Sequence, residues 1–127
     1  MSTAPKNLNL YNKALEIFKL SRHVSSYLID DLAHLDAQGN EHEAVYFTGD
    51  IIRHSDALAP EILKIENQAF QDDRIRHARG LELLTHRLYK TCERLERAES
   101  SGRDFVVMLR SELKKFRRMQ HSWIVTL

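Results

Sequence analysis

The chain is poor in the residues that complicate a fold. Four glycines and two prolines in 127 residues give few sites for tight turns, and an all-β protein needs many more. A single cysteine, Cys92, excludes an internal disulfide framework and fits a reducing compartment. No stretch is apolar for long enough to span a bilayer, and the opening MSTAPKNLNLYNK holds no continuous apolar segment of a secretory signal. The expectation is a cytoplasmic protein without membrane association. Catalytic signatures are missing as well: there is no GxSxG, P-loop, dinucleotide fingerprint or zinc-finger spacing. The sequence gives no ground for an enzyme or for a cofactor.

What remains is an ordinary globular balance. Hydrophobic residues make up 43% and charged residues 29%, too apolar for a disordered chain and sufficient for one domain with one core. The apolar residues recur at steps of three and four, the period of one helix face. After a short lead, residues 1–6, that reads as disordered, Asn7 or Asn9 can cap a first helix. Leu10, Ala14, Ile17, Ser21, Val24 and Leu28 form its seam, widened by Tyr11, Leu15, Phe18 and Leu32. Asp36-Ala37-Gln38-Gly39-Asn40 supplies turn residues, so this helix should end near Leu35.

A second helix is expected from about Glu41 to Glu66, with a seam of Ala44, Phe47, Ile51, Ser55, Leu58, Ile62 and Ile65. Pro60 lies inside it, removes one backbone hydrogen bond and predicts a kink; the seam stays in phase across it, which favours a bend over a break. Asp72 or Asp73 can cap a third helix that runs to about Glu99. Leu81, Leu84, Leu88, Cys92 and Leu95 are its seam, and Gly80 sits within it. Ser100-Ser101-Gly102 is the clearest turn. Asp104 or Ser101 then opens a fourth helix striped by Phe105, Leu109, Leu113, Phe116 and Trp123. Four long amphipathic helices with short loops imply an all-α, antiparallel up-down-up-down four-helix bundle spanning residues 1–127 as one domain.

Charge is distributed unevenly. Residues 1–73 carry six Lys/Arg against twelve Asp/Glu, a net of −6; residues 74–127 carry thirteen against six, a net of +7. Two basic stripes account for much of the excess. Arg87, Lys90, Arg94 and Arg97 recur along the third helix; Arg110, Lys114, Arg117 and His121 recur along the fourth, with Lys115 and Arg118 beside them. Like charges three or four residues apart repel by about 0.2–0.5 kcal/mol per pair, so something should offset them. Acidic neighbours from residues 41–73, within or between subunits, are one answer. The other is nucleic-acid phosphate, contacted by Arg87, Lys90, Arg94, Arg110, Lys114, Lys115, Arg117 and Arg118. No aromatic interleaving points to base stacking.

Seven histidines raise a metal hypothesis, but a di-iron bundle needs paired Glu-x-x-His motifs. Asp31-x-x-His34 and the Asp50, His54 pair are the nearest approaches and neither recurs on another helix, so no metal site is expected. Cys92 sits at a core position, where a thiol is inert.

Ile52-Arg53, Pro60 seven residues after the Arg, Leu63 three further on, and Ala78-Arg79-Gly80 in the third helix are shared features. In these the chain resembles the small four-helix-bundle family encoded by intervening sequences in bacterial 23S ribosomal RNA genes. It departs from that family at Lys64-Ile65-Glu66, where an Ala-Glu-Gly stands, and at Leu84, where a Glu stands. The resemblance implies a four-helix bundle and a homo-oligomer, with a ring-like pentamer as the known assembly. It also implies a link to the accessory proteins of diversity-generating retroelements, which look like basic nucleic-acid-binding adaptors. The functional expectation is a non-catalytic protein that self-assembles and docks, its spare apolar surface being Tyr11, Val45, Ile52 and the Trp123–Leu127 tail. The alternative is a sequence-nonspecific RNA- or DNA-binding adaptor.

Overall fold

A computed structural model describes residues 4–32, 44–97 and 102–127, with side chains over 4–27, 49–97 and 102–127. Four helices account for nearly all of these: α1 (Leu8–Leu32), α2 (Ala44–Glu66), α3 (Gln71–Glu96) and α4 (Arg103–Ile124). Among the described residues there is no strand. Each helix packs its length on two neighbours: α1 on α2 and α4, and α3 on α2 and α4. The start of α1, the end of α2, the start of α3 and the end of α4 meet at one end of the molecule, through Lys6, Glu66, Arg74, Trp123 and Leu127. Neighbouring helices therefore run in opposite directions, which is the up-down-up-down bundle.

The core is the set of seams. Leu10, Ala14, Ile17 and Val24 of α1 meet Ile51, Leu58, Ile62 and Ile65 of α2, Leu81, Leu88, Cys92 and Leu95 of α3, and Leu109, Leu113 and Phe116 of α4. Each large side chain so buried contributes about 1.5–3 kcal/mol relative to exposure. The hydroxyls at seam positions are spent within their own helices: Ser21 donates to the Ile17 carbonyl, Ser55 to Ile51 and Thr85 to Leu81. Among the described residues two buried side-chain bonds join helices: Gln120 Nε2 of α4 donates to Thr85 Oγ1 of α3 at 2.8 Å, and the Trp123 indole of α4 donates to Glu66 of α2 at 3.2 Å.

Helix ends follow the sequence unevenly. Asn7 caps α1, its side-chain oxygen accepting the Leu10 amide at 3.1 Å. Lys6 is not loose: its backbone amide donates to Glu66 at 2.9 Å. The helix α2 continues unbroken through Pro60. Pro60 leaves the Asp56 carbonyl without its intrahelical donor, the physical origin of the bend expected there. Neither Asp72 nor Asp73 caps α3. Phe70 occupies the N-cap without a side-chain bond, and the two acids lie inside the first turn, where they favour the helix dipole instead. Gly102, not Asp104, precedes α4, and Asp104 is likewise in its first turn. The expected turn at residues 36–40, the start of the second helix at Glu41, the end of the first near Leu35 and Ser100-Ser101 lie outside the described residues. So does the side chain of Val45.

The chain's C-terminal stripe is not spare surface. Trp123 and Ile124 are buried in the core, and the Trp123 indole donates to Glu66 Oε2 at 3.2 Å. Of the apolar residues in that segment only Val125 stands well out, at 78% exposure. Tyr11 and Ile52 are half-buried against the bundle. The amphipathic period placed Trp123 on the seam; its pairing with a carboxylate far away in sequence turns the tail inward.

Candidate nucleic-acid interface

The eight basic residues singled out by sequence do not form one surface. Arg87 lies in the cleft between α2 and α3, with Ala57, Glu61, Gly80 and Leu84. Lys115 lies toward α1. Its ammonium bonds Glu112 at 2.9 Å, and Glu112 also takes Lys13 of α1 at 2.9 Å. The hydrogen bond from Lys13, then that from Lys115, holds the Glu112 carboxyl below the usual range. Lys90 bridges to Glu93 at 3.2 Å, one turn along the same helix. Arg94 is exposed on α3.

The remaining four belong to the α3/α4 seam. Arg110 is half-buried; its Nε donates to Glu96 at 2.5 Å and its Nη1 to the Tyr89 hydroxyl at 3.4 Å. The Glu96 bond raises the Arg110 guanidinium above its ordinary range. Arg117 sits over the Tyr89 ring at 5.5 Å, in cation–π range. Beyond it, Lys114, Arg117 and Arg118 line a groove of about 810 Å³ together with His121, Ser122, Gln120 and, from α3, Glu82.

Pairing decides what these cations are for. Past its first turn α3 carries three described carboxylates, and each is engaged: Glu82 by Arg79 at 2.9 Å, Glu93 by Lys90, Glu96 by Arg110. Lys114, Arg117, Arg118 and Arg87 have no ion-pair partner among the described residues. The acidic half of the chain supplies none among the described residues: α4 packs along α1 and α3, and it meets α2 through the bond from Trp123 to Glu66 at the bundle end. Among the described residues no acid of residues 49–73 pairs with the α4 stripe. The spacing of charges along a helix was legible in sequence; the neighbour each charge faces was not.

Tyr89 was missed entirely. One aromatic in a basic stripe carries little signal on its own, and only the packing of α4 puts Arg110 and Arg117 against it.

Other chemistry is quiet. Burial pushes the Cys92 thiol up to about 12, and it is fully buried, so it is no nucleophile at neutral pH. Burial lowers His54, whose position half inside the α2 surface brings it near Asp50, Arg53 and Arg87. Among the described residues no group of three or more His, Cys, Asp or Glu is placed to hold a metal ion, and no helix is long and apolar enough to cross a membrane.

A second polar cavity lies at the bundle end, lined by Lys6, Asn7, Glu66, Arg74, Trp123 and Leu127. The Glu66 and Arg74 charges are already taken. Glu66 accepts the backbone amides of Lys6 and Asn7 and the Trp123 indole. Arg74 donates to the carbonyls of Gln68, Ala69 and Leu127. These bonds clasp the helix ends together.

Comparison with protein-family models, with curated proteins and with solved structures gave no match.

Proposed function

We propose that the protein is a non-catalytic, cytoplasmic docking bundle that binds RNA or DNA phosphate through the α3/α4 groove, without reading sequence. One observation carries this reading: Lys114, Arg117 and Arg118 converge on one groove with no carboxylate partner among the described residues, while the carboxylates of the facing helix past its first turn are occupied. Phosphate supplies the missing counter-charge and gains counterion release, so affinity is sequence-tolerant and falls steeply with salt. Arg110, engaged by Glu96, becomes a supporting residue, and Lys115, engaged by Glu112 and outside the groove, is not a contact.

The test is the variant Lys114→Ser, Arg117→Ser, Arg118→Ser, assayed by filter retention of RNA at roughly 50 mM salt, where the counterion term is strong. Retention is lost, and the melting temperature stays within about 2 °C, as expected of exposed side chains. Equal retention by the variant, or none by the unmodified protein, overturns the reading.

A second reading, self-association, is supported by Leu8 and Leu15 of α1, seven residues apart on one face and 57% and 45% exposed. The family resemblance implies a pentameric ring, on which several weak basic grooves would act together. Sedimentation as a monomer at micromolar concentration ends that reading and leaves the groove untouched.

A further inference from the structure

The geometry points to a single nucleic-acid strand, rather than a duplex, as the occupant of the α3/α4 groove. This rests on the nucleic-acid reading above and adds which form of the polymer is held.

The charge of the groove is one-sided. Lys114, Arg117 and Arg118 all stand on α4. Their Cα positions are separated by no more than about 6 Å of helix rise. The opposite wall, α3, contributes the carboxylate of Glu82, half-exposed and tied to Arg79 on its own helix. A duplex, A-form or B-form, carries phosphates on both rims of each groove. Laid on this cleft, one rim meets the cations of α4 and the other approaches Glu82, where like charges repel. A single strand laid along α4 gives its phosphates to the cations and keeps them away from the acid.

The cleft also suits what only a single strand offers. Its volume of about 810 Å³ lies in the range of small-ligand sites. His121 and Ser122 present exposed hydrogen-bonding groups at its edge. Bases in a duplex have their pairing edges sealed, whereas an unpaired base can turn one toward such groups. No Phe, Tyr or Trp lines the cleft among the described residues, so its contacts are mainly to phosphate and base edge.

The number of free cations sets the salt response. Three neutralised phosphates on a single strand give a slope of log affinity against log salt of about −2.

The experiment uses the full chain and fluorescence anisotropy with two probes, a labelled oligouridylate and an RNA duplex of equal length. At roughly 50 mM salt the strand binds about tenfold more tightly than the duplex, with a salt slope near −2. Glu82→Gln raises duplex affinity and narrows the gap. The triple variant Lys114→Ser, Arg117→Ser, Arg118→Ser abolishes strand binding. Duplex affinity equal to or above that of the strand, a gap unmoved by Glu82→Gln, or strand binding that survives the triple variant overturns this inference. Binding of neither probe overturns the nucleic-acid reading with it.

Discussion

The bundle end and the α3/α4 groove are both rich in charge, and they use it in opposite ways. At the end, Glu66 is 6% exposed and meets three donors, while Arg74 meets three carbonyls. In the groove, Lys114, Arg117 and Arg118 are exposed and face no described carboxylate of their own. The difference follows from solvation. A buried charge without partners costs several kcal/mol, so folding must satisfy it from within. An exposed cation beside another costs only a few tenths, so it can be kept for an outside partner. A satisfied cluster is therefore part of the fold, and an unsatisfied exposed one is available for binding.

The largest expected effect tests the first half of that contrast. Glu66→Ala strands the amides of Lys6 and Asn7 and the Trp123 indole, so urea unfolding should show a loss of about 3 kcal/mol. RNA retention per folded molecule should not change. A loss below about 0.5 kcal/mol, the scale of an ordinary surface substitution, would erase the distinction between the two clusters.

The interior can be probed next through Cys92. Its folded-state thiol is held protonated up to about pH 12, whereas an unfolded thiol ionises near its model value of 9.0. Between those values the unfolded state holds fewer protons, so stability is full below pH 9 and falls as pH rises. The slope attributable to Cys92 is about 1 kcal/mol per pH unit, read as the difference from a Cys92→Ala variant across alkaline pH. Identical pH dependence in the two proteins would mean that the thiol is not sealed.

Smaller still is Gly80. A Cβ added there meets nothing within 4 Å, so close packing does not explain the glycine. Gly80→Ala should raise stability by about 0.5–1 kcal/mol in thermal unfolding, since it removes backbone freedom from the unfolded chain. Lys115→Ser is the smallest case. It removes a surface pair to Glu112 worth at most about 1 kcal/mol and should leave RNA retention unchanged, because Lys115 does not line the groove.

The fold was legible because helical period is local. Leu10, Ala14, Ile17, Ser21 and Val24 could be placed on one face from spacing alone, and so could Ile51, Ser55, Leu58, Ile62 and Ile65; all ten are buried. The Asn7 cap was also a local signal. What escaped depends on contacts between distant segments. Glu66 reads as a polar residue at the end of a helix, yet its partners Lys6 and Trp123 lie 60 and 57 residues away. Arg87 and Arg117 read as members of equivalent stripes, but one falls in the cleft toward α2 and the other in the groove of α4. Helix order around the bundle separates them, and no spacing within a helix encodes that order.

The bond between Thr85 and Gln120 has a consequence for the groove above it. An interior of leucines, isoleucines and phenylalanine is close to translationally degenerate: slide α4 one turn along α3 and apolar side chains would still meet apolar side chains. An amide cannot make that move cheaply, because Gln120 would leave Thr85 and arrive among hydrocarbon with its donor unmet. The pair thus acts as a detent that fixes the axial setting of one helix against the other. Gln120 is immediately followed by His121, and one helical turn before it stand Arg117 and Arg118. The same detent therefore sets how far along α3 these side chains fall, and so which of its side chains they confront.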